Sequence, residues 1–205
     1  MELRTSISIA SACSPMSSAV LLWDLQAVSD GRFTLGLGSQ VKGHNQRRFS
    51  FPQSQPAPRM REYVQSVRAT WDCWAADVPL YYQCEHYQFS LMTPNFPLDL
   101  LKRPLQKNQI AAVGPGMKKV AAEECDGVML HPFCAEKYLL GRIFRNIHSE
   151  VDRSGKKRAE FEISGGGFVA AGENQQDVDA IFKWVRRRVG VLWIYSILLT
   201  GARSP

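Results

Sequence analysis

The sequence has no CxxC pair, no apolar run long enough to cross a bilayer and no concentrated basic stripe. Its five cysteines, Cys13, Cys73, Cys84, Cys125 and Cys134, are odd in number and widely spaced. That argues against a disulfide scaffold and for a reducing, cytoplasmic setting. Cys125, His131 and Cys134 match no common zinc spacing, so no metal is expected. The apolar stretch at residues 191–199 is far too short to span a membrane. Residues 6–16 are small and include Pro15 but form no solid apolar core, so a secretory signal is not expected. Lys and Arg total 25 against 19 Asp and Glu, a net charge of +6. The basic pairs and triplets are scattered, two of them inside helical patterns. Such a distribution makes solvated faces with a mild pull on anions, not a nucleic-acid surface.

What is present is an ordinary globular balance, 45% hydrophobic and 21% charged in 205 residues, enough for one domain with a core. Residues 5–12 alternate small and aliphatic side chains, as a strand with one small face does. Ser14-Pro15 opens a helix, with Ser as cap and Pro at the first helical position. Ala19, Leu22, Trp23, Gln26 and Ala27 follow at helical spacing, and Ser29-Asp30-Gly31 ends the helix. Residues 32–37 are short and apolar, as a strand covered on both faces is. Strand, helix, strand with short links is the unit of a parallel α/β fold. Gly36-Leu37-Gly38 is expected to break this strand and to let backbone approach a ligand, freeing N–H groups for an anion. A plain tight turn is the alternative.

Pro58 is expected to start a long helix with Met60, Tyr63, Val64, Val67, Trp71 and Trp74 as its buried stripe. Residues 80–92 alternate and are aromatic, which suits a β-hairpin; residues 95–107 form a connector. Residues 109–113 are a buried strand, and Gly114-Pro115-Gly116 leads into a helix at 118–124. A glycine-rich strand end feeding a helix N-terminus is an anion site by geometry. Residues 128–131 form another strand, with His131 at its carboxyl end. A helix over 136–152, a strand at 161–163 and a last amphipathic helix over 174–189 complete the pattern. Val178, Ile181, Phe182, Val185 and Val189 are expected to face inward from that last helix.

The words GRFTLGLGSQVKGHNQRRFS at 31–50, PAPRMREYVQSVRATWDCW at 56–74, AAVGPGM at 111–117 and DGVMLHPF at 126–133 together resemble the luciferase-like monooxygenase superfamily. Within it the chain is most similar to the deazaflavin-dependent oxidoreductase branch, from about residue 5 to about residue 189. The resemblance implies an α/β fold, a (β/α)8 TIM barrel of the bacterial-luciferase type, incomplete here with about five or six barrel strands. It implies the deazaflavin coenzyme F420 as cofactor, with FMN as the alternative. It places a non-proline cis peptide near Ser6-Ile7, beneath the flavin ring. Cofactor contact is implied for Ser6, Ile7, Gly36, Gly38, Ser39 and Gln40, and for Ala112, Val113, Gly114, Pro115 and Gly116. Some sugar-phosphate-oxidising relatives carry a glutamate just after the second glycine; Ser39 stands there instead, which counts against that chemistry. His44, in a loop expected after Gly38, and His131 are the candidate catalytic residues, as proton carriers near the substrate.

A complete barrel takes ~250 residues. The family's first two strands and its final strand and helices have no counterpart, and residues 190–205 form a divergent tail, so the sequence resembles a version shortened at both ends. The expected function is hydride transfer between F420 and a small organic substrate. An FMN-dependent monooxygenase of the same fold and a catalytically inactive fragment are the alternatives. The expected partner is that small molecule, with a homodimer open and neither nucleic acid nor membrane involved.

Overall fold

The computed structural model describes residues 1–52, 54–93, 107–132, 136–165 and 168–200. Cys134, two of the glycines at 165–167 and most of the connector expected at 95–107 lie outside those residues. The first strand is broken in two, β1 (Leu3–Arg4) and β2 (Ser8–Ile9), and both pieces pair in parallel with β3 (Phe33–Gly38). Arg4 lies opposite Thr34 and Ser8 opposite Leu37, so four steps on one side face three on the other. The extra residue is a bulge. Within it the Ser6–Ile7 peptide is cis, where the resemblance implies one. Thr5 fills the gap in the ladder: its Oγ1 donates to the Gly36 carbonyl (2.8 Å) and accepts from the Gly36 N–H (2.9 Å).

Between β2 and β3 runs α1 (Pro15–Val28), with the Ser14 hydroxyl accepting from the Met16 N–H at 3.3 Å. After β3 comes a short helix, α2 (Lys42–Arg48), where a loop is expected. The long helix α3 (Pro56–Ala76) starts at Pro56 rather than Pro58 and buries Met60, Tyr63, Val64, Val67, Trp71 and Trp74. It packs on α1 through the Trp71 indole N–H, which donates to the Ala19 carbonyl at 3.2 Å, and through an edge-on Trp23–Trp74 contact at 5.3 Å. The hairpin is β4 (Tyr82–Gln83) with β5 (Gln88–Phe89), antiparallel. Then follow β6 (Lys107–Ala111), α4 (Pro115–Glu124) and β7 (Gly127–Met129). A helix over 136–153 has three parts: α5 (Glu136–Tyr138), a wider π turn (Leu139–Ile143) and α6 (Phe144–Arg153). β8 (Glu162–Ser164) and α7 (Gln175–Thr200) end the described chain.

The parallel strands run in the order β1/β2, β3, β6, β7, β8, an α/β arrangement with the helices against one face. Residues opposite each other share a face. Leu37, Ile110, Val128 and Ile163 are one such layer; Gly36, Gln109, Gly127 and Glu162 are a layer on the other face. That second face is concave. In a flat sheet β1 and β8 would lie roughly 19 Å apart, too far for any pair of side chains to span. Yet the Arg4 guanidinium donates to Glu162 Oε1 at 2.9 Å across the sheet. The sheet therefore curls into part of a barrel with a polar interior, in which Ser164 donates to Gln109 at 2.9 Å.

The core lies between the convex face and the helices. Cys125 is fully buried there, and that burial pushes its thiol up to about 12, so it stays protonated. The last helix differs from expectation. Ile181 (36% exposed), Phe182 (58%) and Trp184 (56%) lie open to solvent, because none of the described elements covers α7. Among the described residues no helix is long and apolar enough to cross a membrane.

Candidate functional site

Parallel strands present all their carboxyl ends at one edge, the edge where α/β barrels carry chemistry. Here that edge bears a cavity of about 140 Å³. Ala10 and Ser11 enter it from the end of β2, Ser39 and Gln40 from the end of β3, and Met60 and Tyr63 from the first turns of α3. Three of these side chains, Ala10, Ser11 and Ser39, are small. The loop after β3 is held by Asn45, on α2. Its Oδ1 accepts from the Ser11 hydroxyl (2.8 Å), and its Nδ2 donates to the Ser39 carbonyl (3.0 Å). Gln40 takes a left-handed backbone (φ 57°), and its own Oε1 accepts from the Val41 N–H at 3.0 Å. Asn45 thus ties two strand ends and a helix into one rim. At the far wall Tyr63 shares a hydrogen bond with Ser18 at 2.6 Å. Burial pushes the Tyr63 hydroxyl up to about 12, so it works as a neutral hydrogen-bonding group and not as a base.

The sequence-expected residues divide into three groups. Ser6 and Ile7 form the cis bulge, and Ser39 and Gln40 line the cavity just beyond it. Gly36 and Gly38 do not break β3; they lie inside it and are fully buried. A Cβ on Gly36 would stand 2.0 Å from the Thr5 carbonyl oxygen and 2.8 Å from Met129 Sδ, and one on Gly38 would stand 1.9 Å from Ile7 Cδ1. Their missing side chains make room for the bulged neighbour strand, which corrects the expectation that the space is left for a ligand. In the third group, Ala112 is buried while Val113, Gly114, Pro115 and Gly116 are exposed at the end of β6 and the start of α4. Gly114 caps α4 with no side-chain hydrogen bond, and nothing lies within 4 Å of where its Cβ would be. The first-turn N–H groups of α4 have no partner within the helix, so this open edge offers donors to an anion beside the β3 rim.

The two histidines lie outside the cavity. His44 is exposed on α2, not on a loop, and His131 is exposed just beyond β7. Both are at the carboxyl edge, but neither lines the cavity.

The bulged strand, the cavity at the carboxyl edge and the curled parallel sheet agree with one family, whose profile matches residues 1–200. The chain belongs to the luciferase-like monooxygenase family. The match runs past residue 189, where the sequence resemblance was expected to end. Among its relatives, the uncharacterized Mycobacterium tuberculosis protein Rv1360 is 37% identical over 92% of this chain and 56% of its own length. A second M. tuberculosis relative, Rv3520c, named provisionally as a coenzyme F420-dependent oxidoreductase, is 29% identical over 80% of this chain and 48% of its own. The crystal structure of monooxygenase RslO1 from Streptomyces bottropensis superposes with a TM-score of 0.71 at 20% identity, over 93% of this chain and 56% of that one. The chain thus spans about half the length of the curated relatives it matches.

The residues present suit a flavin-type ring at this edge. Small side chains border the bulge, the cavity opens beside them, and Gly114 leaves its surroundings clear. Sequence reasoning missed Asn45 and the aromatic wall of the cavity. The wall left a partial signal, since Phe51 and Tyr63 stand on either side of the Arg59-Met60-Arg61 word at a helix start, while Tyr87 lies far from it in sequence. Asn45 left none, because its partners are 34 and 6 residues away.

Proposed function

We propose that this chain carries the ring-binding edge of a deazaflavin-dependent oxidoreductase, which moves a hydride between coenzyme F420 and a small organic substrate. The observation that carries this reading is the juxtaposition of the Ser6–Ile7 bulge with a cavity at the carboxyl ends of β2 and β3 whose strand side is lined by the small Ala10, Ser11 and Ser39. The name of the relative Rv3520c supports the deazaflavin over FMN. When bound, the coenzyme would supply the hydride-accepting carbon. The protein's share is to bind, orient and exclude water. Ser39 and Gln40 offer hydrogen bonds at the ring edge, the α4 N-terminus favours an anionic group, and Asn45 fixes the rim.

Titration of the purified chain with F420, and separately with FMN, tests this through cofactor fluorescence and melting temperature together. The expected result is saturable F420 binding with a raised melting temperature. At 100 times the Kd, the gain corresponds to about 2.7 kcal/mol. Binding of FMN in preference to F420 would favour the flavin monooxygenase reading. Binding of neither would reject both.

A further inference from the structure

Arg59 stands apart from the other arginines of α3. Arg61 pairs with Glu123 and Glu124, and Arg68 pairs with Asp126. Arg59 has no carboxylate partner among the described residues. Its guanidinium lies over the Phe51 ring at 4.2 Å and over the Tyr87 ring at 5.2 Å, and its Nε donates to the Tyr87 hydroxyl at 3.1 Å. Stacking and that bond fix the plane of the guanidinium, leaving its terminal N–H groups for another acceptor. The nearest carboxylate in sequence, Glu62, is engaged elsewhere: its Oε2 accepts from the His86 N–H (2.7 Å) and the Tyr87 N–H (3.3 Å). Among the described residues, the lining of the cavity includes Arg59 and Lys42 and not one Asp or Glu. Beside Arg59 the wall is aromatic and apolar, with Phe51, Met60, Tyr63 and Tyr87, and the opposite rim is uncharged and polar, with Ser11, Ser39, Gln40 and Asn45.

We infer that this cavity is a subsite for an organic carboxylate, with the Arg59 fork holding the acid group and the aromatic wall holding its apolar body. A planar fork matches a carboxylate through two parallel hydrogen bonds. The volume fits one ring: the cavity measures about 140 Å³, and a cavity of ~150 Å³ holds a benzene. The subsite adjoins the bulge and the Ser39 rim. It rests on the proposed hydride-transfer reading for its meaning, since it would place a carboxylic acid substrate against the ring. The other source of the same chemistry is the cofactor's own anionic tail.

The test uses benzoate on the full chain without cofactor, followed by the Arg59 Nε–H resonance, which is assigned by its loss in Arg59→Gln. Saturable benzoate binding is expected, with the neutral isostere benzamide binding at least tenfold more weakly. Arg59→Gln should remove that preference, and Arg59→Lys should keep only part of it. Equal affinity for benzoate and benzamide in the unaltered chain overturns the inference, and so does no binding of either, whatever the variants do. A second arm titrates F420 in the presence of saturating benzoate. Joint binding supports a substrate subsite, whereas mutual exclusion overturns it in favour of the cofactor tail. Because benzoate binding is read without F420, a failed cofactor titration leaves this outcome readable by itself.

Discussion

Gly36 and Gly38 are both crowded where a side chain would project, but by different neighbours. On Gly36 an added methyl meets a backbone carbonyl at 2.0 Å; on Gly38 it meets the tip of the Ile7 side chain at 1.9 Å. A carbonyl fixed in a bulge cannot step aside, while an isoleucine tip can change rotamer. Gly36→Ala should therefore cost about 3 kcal/mol or more and Gly38→Ala about 1–2 kcal/mol, at the two ends of the overpacking range. Urea denaturation checks the order; equal costs would mean that the bulge yields. Asn45 belongs to the same scale. Asn45→Asp keeps an acceptor for Ser11 but sets a carboxylate against the Ser39 carbonyl that its amide now donates to. We expect a loss of about 1–3 kcal/mol and a weaker F420 affinity, whereas Asn45 variants that lose stability without losing affinity would place the rim outside the site. The glycines drew attention in the sequence for the wrong reason. Their neighbours come from a strand some thirty residues away, and spacing along the chain says nothing about what lies across it.

The elements were legible in proportion to the regularity of their burial. α3 shows its stripe plainly because one face is wholly covered. α2, KGHNQRR, buries no residue and has no stripe to show, so its sequence looks like a loop. The curl of the sheet was invisible as well, since it is expressed in pairs such as Arg4 with Glu162, on opposite ends of the strand order. That pair gives the elements a pH dependence. Burial pushes the Glu162 carboxyl up, but the Gln109 side chain and the Arg4 guanidinium outweigh it and hold it below its ordinary value. A group with a depressed folded value contributes stability above the unfolded value, and that contribution is lost as pH falls through the folded one. Glu162→Gln should therefore be slightly less stable at pH 7, by less than about 1 kcal/mol because both partners are about one-third exposed. The two proteins should converge as pH falls below about 4.5, which flattens the variant's acid-side loss. Denaturation midpoints between pH 3 and pH 7 decide it; parallel curves for the two proteins would show that the pair does not hold the sheet closed.

At the scale of the molecule, family and fold class were legible because four separate words fell in family order, while the setting of the last helix was not. Helical spacing tells which residues share a face, but not whether anything lies against that face. Val178, Ile181, Phe182, Val185 and Val189 do share one, and Ile181 and Phe182 are open to solvent. A side chain that stays in water in both states contributes little to folding. Phe182→Ser should thus shift stability by less than about 0.5 kcal/mol, while Ile147→Ala on α6, where Ile147 is 1% exposed, should cost about 2–5 kcal/mol. The contrast separates the barrel core from α7 in a single denaturation series. If Phe182→Ser cost as much as Ile147→Ala, the α7 face would be covered in solution, and the inward stripe read from the sequence would be right after all. A small cost at Phe182 would instead confine the cooperative core to the curled sheet and the helices on its convex face, the part of the molecule that also builds the cavity.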